Sequence, residues 1–522
     1  MRDDVSRPSL TPWAICVAIL MGPALLVWIV RLVAFAARFR GLFHGFNLPR
    51  VDLSPATGLR SPLLRSEYYT MATVAQEITT PAHLRGNGRP IQDERTLTQL
   101  KVTGTIPGEL DGRYLRNGAN PKTGFSAHPF LGDGMVHGVR LRDGKALWYR
   151  NRYVKTPFIA NPSLQIFDPA VAMDMAASKA NTHVVGHAGK ILALEEGHYP
   201  YVLDGNLETI GATDFGGMLN GSFTAHPKIC PETGELLAFG YSAMPPYLRY
   251  LRVSADGKLV QTQNITVGGP TMMHDFNVTR NHVIFMDLPA VFDLQLAMKG
   301  EMPIRWDDDY PARLGVMPRN GTDADVRWYD INPCYVFHPM NSYEDGDTIV
   351  LDVARFSHMW RTSSIDFPNP YLWRFTIDTK KGTVREEQVD DRPGEFPRVA
   401  DSRIGLKHRY GYVMGFSDAP DGNDPMSGSG AIYKYDRERG TRTDLDLGRG
   451  RTPGEPVFVP AANAKSEDDG YLMTFVHDAA TDTSRFVIYD AKTLDRTPVA
   501  SVELPRIPNG FHGSWVPASV AN

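Results

Sequence analysis

From about residue 95 onward the chain is a succession of short apolar or alternating runs broken by turn chemistry. The runs "KILALEE", "ELLAFGYS", "HVIFMDLP", "DTIVLDVAR", "YLWRFTIDT", "GYVMGF", "AIYKYD", "YLMTFVHD" and "RFVIYD" are all of strand length and rich in Val, Ile, Tyr and Phe, residues that suit a pleated, half-buried surface. Between such runs lie "RDGK", "ETGE", "ADGK" and "KKGT", where the glycine tolerates the positive φ of a tight hairpin. No long amphipathic helical pattern interrupts them. The pattern predicts an all-β fold. Strands spaced this way over roughly 420 residues are too many for one sandwich, and radial repetition in a β-propeller closes them while protecting their edges. No clean repeat at a propeller period emerges, so the pattern does not give the number of blades, and no linker divides the region in two.

The N-terminus differs from everything after it. The stretch "PWAICVAILMGPALLVWIV", Pro12 to Val30, holds 19 residues without a charge, enough to cross a bilayer's hydrocarbon as a helix, which Gly22 and Pro23 would weaken or kink. The expected organisation is a membrane-anchor-like segment with an apolar helix over 1–45, a connecting segment over 46–94 and the β-propeller domain over 95–522. Arg31, Arg38, Arg40 and Arg50 follow the apolar stretch while Arg2 and Arg7 precede it, so the positive-inside bias leaves the following domain on the cytoplasmic side of a membrane. A secretory signal is the competing reading, because Ala34-Phe35-Ala36 resembles a small-residue cleavage site, although Arg31 interrupts the approach to it.

Charge and cysteine content narrow the partners. With 55 basic against 59 acidic residues and a net charge of -4, the chain lacks the electrostatic footprint of a nucleic-acid surface. Cys16, Cys230 and Cys334 are an odd number at wide spacings, matching neither a disulfide framework nor a zinc motif. A reducing compartment fits them.

The candidate chemistry lies in four histidines at the edges of strand-like runs: His226 in "FTAHPK", His274 in "TMMHDF", His338 in "YVFHPM" and His512 in "NGFHGSW". They lie 48, 64 and 174 residues apart, so no local metal motif joins them. Only the fold could bring them together, as a propeller does when the inner ends of successive blades converge on one axis. Taken singly, each reads more simply as a hydrogen-bonded core or turn histidine.

The runs "RNGANP" (116–121), "GDGMVHG" (132–138), "NTHVVGHAGKILALEEG" (181–197), "FTAHPK", "PTMMHDF", "EFPR" (395–398), "GEPVFVP" (454–460) and "GFHG" closely resemble, in order and separation, motifs of the carotenoid cleavage oxygenase family. The resemblance spans about 95–517. It implies a seven-bladed β-propeller with a non-haem Fe(2+) on its axis, held by His226, His274, His338 and His512. Imidazole suits Fe(II), and four neutral rings leave its charge uncancelled and coordination positions open to O2. The family sets glutamates behind its ligand histidines, and its motifs place them here at Glu196, Glu395 and Glu455, where each would fix a histidine's tautomer. Glu195 competes for the first position; Glu196 is chosen because it lies five residues before Tyr201 in "EGHYPY". Thr182 of "NTHVV" matches a family threonine near the open coordination position, its plainer role being a packed strand residue. His137, His183 and His187 read as structural, and Arg116, Asn117 and Gly118 as a blade-locking turn in which Gly118 supplies backbone freedom.

The implied reaction is cleavage of a conjugated carbon-carbon double bond by O2 to give two carbonyl products, with a carotenoid or apocarotenoid as substrate and an apolar tunnel selecting the bond. Because polyenes dissolve in membranes, the N-terminal helix would keep such an enzyme beside its substrate. Stilbene cleavage within the same family is an alternative, but members resembling that branch carry a lysine where this chain has Glu195. The isomerohydrolase branch, which moves a retinoid double bond, is another. A propeller that binds an apolar ligand without catalysis is a reading of a different class. A zinc hydrolase fits less well, since catalytic zinc normally keeps three protein ligands and a water.

Overall fold

The computed structural model describes residues 80–416 and 430–521. The anchor-like segment 1–45 and the connecting segment up to residue 79 lie outside these.

The nine runs read as strands all form strands, among them Lys190–Leu194, Leu236–Tyr241 and Gly470–Asp478. Among the described residues the helices are single turns such as Pro157–Ala160, Pro169–Ala172 and Leu294–Met298, and no helix is long and apolar enough to cross a membrane. The fold is all-β. The hairpin residues behave as their chemistry requires: at the Arg142–Lys145 turn Asp143 and Gly144 take φ of 51° and 70°, the left-handed pair of a tight two-residue loop.

Among the described residues, and apart from a two-stranded ribbon of Ala290–Phe292 with Ile304–Trp306, the strands assemble as seven antiparallel meanders that follow chain order except where the two ends of the domain interleave, Val102–Gly104 pairing with Ala500–Leu504 in the seventh. The second is His183–His187, Lys190–Leu194, Tyr201–Leu203 and Thr209–Ala212, and the third Lys228–Ile229, Leu236–Tyr241, Leu248–Val253 and Leu259–Ile265. The fourth begins at Asn277–Val278 and the fifth at Tyr335–Asp345. The long strand Thr383–Arg398 ends the fifth and, beyond a break in its pairing, opens the sixth. The seventh pairs both Arg451–Pro453 and Val457–Pro460 with Gly470–Asp478. The first is completed from the far end of the chain, where Gly513–Pro517 pairs antiparallel with Gly112–Arg116.

Burial explains the sequence pattern strand by strand. Leu236–Tyr241 is buried throughout, because it is covered on both faces, and reads as a continuous apolar run. The outermost strand of the same meander, Leu259–Ile265, alternates buried and open positions, as one-sided cover demands. Apolar clusters bridge neighbouring meanders: Val136 of the first with Ile191 of the second, Leu192 with Leu236, Leu372 with Val413, and Leu472 with Ile432. Phe475 and Phe486 of the seventh pack on Tyr114 of the first, so the series closes on itself.

Residues 80–94 dock onto this body. Asn87 Nδ2 donates to Asn509 Oδ1 at 2.8 Å, and the Ile91 N–H donates to Asn120 Oδ1 at 2.8 Å. The closing turn is tied just as firmly. Arg116 Nη2 donates to Pro508 O at 2.6 Å, and Asn117 Nδ2 to Ala180 O and His183 O at 2.8 and 3.1 Å. Gly118 supplies room rather than the conformational freedom expected of it. It does not take a positive φ, but a Cβ there would stand 2.8 Å from Gly510 Cα.

Candidate metal centre

Each meander has one candidate residue in or next to one of its edge strands. Thr182 precedes His183–His187, His226 precedes Lys228–Ile229, His274 precedes Asn277–Val278 and His512 precedes Gly513–Pro517. His338 lies inside Tyr335–Asp345 where the pairing slips between Val336 and Pro339. Glu395 lies in Thr383–Arg398 where it slips between Glu395 and Arg398. Such slips re-aim side chains that a regular ladder would point elsewhere. Glu455 sits between Arg451–Pro453 and Val457–Pro460.

The four histidines converge, with one ring nitrogen from each lying within 4.8 Å of the others. All four are buried. His274 Nε2 faces His338 Nε2 at 3.1 Å, and His226 Nε2 is buried without a partner. Burial pushes the rings of His226 and His512 well below the ordinary imidazole value, and that of His338 to about 3, with the neighbouring histidines adding to the shift. These three rings are therefore neutral at pH 7 and present lone pairs.

Three of the rings are backed by carboxylates. His338 Nδ1 donates to Glu395 Oε2 at 2.6 Å and His512 Nδ1 to Glu455 Oε1 at 3.0 Å. His274 Nδ1 lies against Glu196 Oε1, off the angle of a linear hydrogen bond. A proton held at Nδ1 leaves Nε2 as the donor atom toward the centre. The nearest carboxylate to His226 Nδ1 is Asp275, 3.9 Å away and paired to Lys228 at 2.8 Å. Burial raises the Glu395 carboxyl to about 8. The donor set, the unpartnered His226 Nε2 and the facing Nε2 atoms all fit a metal ion.

Of the neighbouring candidates, Glu195 turns away from the centre: it accepts from Ser178 Oγ, the Gly197 N–H and His198 Nδ1. His183 has both ring nitrogens engaged, by Ala225 O at 2.9 Å and Ser514 Oγ at 3.2 Å. His137 meets the Tyr149 hydroxyl and His187 meets Gly234 O. Thr182 lines the cavity beside the centre and donates its hydroxyl to Asn181 Oδ1 at 3.0 Å.

Three further residues shape the site and were not assigned a part from sequence. Arg398 Nη1 donates to Glu455 Oε2 at 3.2 Å, Phe396 stacks on His338 with ring centroids 5.1 Å apart, and the Tyr241 hydroxyl donates to Glu196 Oε2. Arg398 and Phe396 stand inside "EFPR", so their positions were visible though their contacts were not. Tyr241 reads as one more apolar strand residue in "ELLAFGYS".

His274, His338 and His512 open onto a cavity of about 2750 Å³, whereas His226 lies behind them. Its wall near the centre is aromatic: Phe130, Phe292, Phe337, Phe367, Phe396 and Phe511. Around the mouth Met173, Met244, Leu294, Met298 and Ile365 are exposed, Met298 at 88%.

Residues 88–517 match the model of the family described as retinal pigment epithelial membrane protein. A carotenoid cleavage oxygenase of Mycobacterium tuberculosis is 39% identical, the alignment covering 86% of this chain and 100% of that protein. A carotenoid 9,10(9',10')-cleavage dioxygenase of Arabidopsis thaliana is 36% identical, covering 91% and 97%. Among solved structures, the lignostilbene dioxygenase of Pseudomonas brassicacearum superposes with a TM-score of 0.75 at 28% identity, covering 84% of this chain and 99% of that one. A cobalt-substituted Synechocystis ACO gives 0.74 at 27%, covering 83% and 98%.

Proposed function

This chain belongs to the retinal pigment epithelial membrane protein family, that of the carotenoid cleavage oxygenases, and from that premise we propose that it is a non-haem iron(II) dioxygenase of seven-bladed β-propeller fold. It cleaves a conjugated carbon-carbon double bond of a carotenoid or apocarotenoid with O2 to give two carbonyl products. That it is a carotenoid cleavage dioxygenase, an oxidoreductase incorporating O2, follows from its relatives; the metal, the substrate and the residue roles are our reading.

The observation that carries this reading is the four-histidine cluster with its outer glutamates, opening on an aromatic cavity. His226, His274, His338 and His512 would hold the ion, an all-imidazole set that suits Fe(II) and leaves positions free. Glu196, Glu395 and Glu455 orient three of the rings. When bound, iron(II) supplies the redox-active, oxygen-accepting centre that oxidative cleavage needs. The aromatic wall holds the polyene by apolar contact and excludes water. Thr182, which lines the cavity with its hydroxyl hydrogen-bonded to Asn181, would limit access to the open side of the metal. A cavity of about 2750 Å³ exceeds the roughly 300–1,000 Å³ of sites for drug-sized ligands, which suits a long polyene. Glu195, engaged with Ser178, Gly197 and His198, stands where the stilbene branch has its lysine, so that contact to a stilbene phenol is missing.

Membrane association on the cytoplasmic face belongs to the same reading. It is supported by the uncharged stretch Pro12 to Val30 and by the exposed apolar residues at the cavity mouth. Full retention on membranes after deletion of residues 1–40 would assign the attachment to the mouth rather than to that stretch.

The test is anaerobic iron reconstitution followed by oxygen uptake and product mass, with β-carotene, an apocarotenal and resveratrol offered in parallel and His274→Ala as control. Aldehydes or ketones from a polyene, absent with the variant, are expected. Failure to bind iron would overturn the four-histidine reading, and products from resveratrol alone would move the enzyme to the stilbene branch.

A further inference from the structure

We propose that Tyr241 is a positioning residue of the metal centre, which holds the Glu196 carboxylate in place and through it the ring of His274. The inference rests on the iron reading above and extends it to a residue outside the family motifs quoted from the sequence.

The three outer glutamates are anchored in different ways. Glu395 accepts the N–H of Phe396, and Glu455 accepts the Gly513 N–H at 2.8 Å together with Arg398 Nη1. Each of those two carboxylates thus has a backbone donor besides its histidine. Glu196 stands differently, past the end of Lys190–Leu194 in a bend. Its Oε1 faces His274 Nδ1 and its Oε2 accepts the hydroxyl of Tyr241. A carboxylate held by a single partner can pivot about its last torsion, which is broad and shallow. With Tyr241 as a second partner, Glu196 offers His274 a fixed acceptor, and His274 in turn keeps Nε2 toward the centre.

Tyr241 is placed to do this. It ends Leu236–Tyr241, is 9% exposed, and its ring packs against Phe292 with centroids 5.8 Å apart. The contact also crosses the molecule. Tyr241 belongs to the third meander, Glu196 follows a strand of the second and His274 begins the fourth, so one hydroxyl ties three neighbours together at the centre. Because Tyr241 also lines the cavity, two roles must be separated: wall for the substrate, or support for the metal.

Tyr241→Phe keeps the ring and removes the hydroxyl. Metal affinity is read by competition with a chromophoric chelator under anaerobic conditions, for the full chain, Tyr241→Phe, Glu196→Ala and the double variant. The visible spectrum of bound Co(II) serves as a second, redox-silent readout. We expect Tyr241→Phe to weaken Fe(II) binding about 10-fold, the lower end of what outer-sphere partners of ligating histidines contribute, and to alter the cobalt spectrum. In the Glu196→Ala background the same change should cost less than about 2-fold, because coupled residues are non-additive. Wild-type affinity and spectrum in Tyr241→Phe would overturn the proposal, as would an equal loss in both backgrounds, which would mark Tyr241 as packing only. If wild type and His274→Ala bind metal alike, the four-histidine reading itself falls, an outcome distinct from either.

Discussion

Glu395 and Phe396 show how much of the centre depends on backbone geometry at single residues. Phe396 takes φ of 54°, a left-handed conformation that costs a bulky residue about 1–2 kcal/mol. The kink turns its N–H back onto the Glu395 carboxylate, lays its ring on His338 and leaves Glu395 Oε2 2.6 Å from His338 Nδ1. If the role of Glu395 is to accept that hydrogen bond, Glu395→Ala should lower Fe(II) affinity by about 10–100-fold. Glu395→Gln, whose amide oxygen still accepts, should lose less. Chelator competition at pH 7 separates the two, and equal losses would mean that charge, not the hydrogen bond, is what His338 needs. At this scale the sequence was informative about residue type and silent about contact. The histidines and glutamates stood out in their motifs, but nothing local says that residues 174 positions apart, such as His338 and His512, have rings 4.6 Å apart.

Elements were most legible where they matter least to the chemistry. The second strand of a meander is covered on both faces and reads as an apolar run, and Asp143-Gly144 announces its own turn. The strands that directly follow the ligands include Lys228–Ile229 and Asn277–Val278, each only two residues long. Two residues cannot establish a period, so the ligand-bearing pieces are the ones hidden from pattern reading. The closing element, though five residues long, likewise adjoins a ligand. Gly513–Pro517 follows His512 directly, and the turn at Gly118 is packed against Gly510, so a methyl group at residue 118 must push on the segment that carries a ligand. Gly118→Ala is therefore expected to destabilise by about 1–3 kcal/mol, the usual cost of overpacking, and to lower bound iron together with the urea midpoint. Lost stability with undiminished iron affinity would show that the closing strand tolerates the shift without moving His512.

For the whole molecule, the run of short strands called for a closed radial array but did not give its number of units, and the first meander, which takes strands from both ends of the domain, is a unit no repeat can register. Closure buries polar groups far from the centre too, and these make stability depend on pH. His408 lies at 5% exposure, accepts from Asn341 Nδ2 at Nδ1, and stands 3.8 Å from Asp352, which Arg374 and Arg437 already neutralise. Burial lowers its ring from 6.5 to about 4. The unfolded chain thus takes up the proton first, and the contribution of His408 to stability is intact above pH 6.5 and is lost as pH falls from 6.5 toward 4. Between pH 7 and pH 5 that loss amounts to about 2 kcal/mol. Glu395, raised by burial to about 8 in the metal-free protein, works in the opposite sense, its contribution being lost as pH rises from the ordinary carboxyl value toward 8. The wild-type curve alone therefore mixes the two. The difference between wild type and His408→Gln isolates the histidine: denaturant unfolding of the metal-free proteins at pH 7 and pH 5 should show wild type losing about 2 kcal/mol more than the variant over that interval. Parallel losses would place the acid sensitivity of the fold elsewhere among its buried histidines, with His128, also near 4, the next to replace.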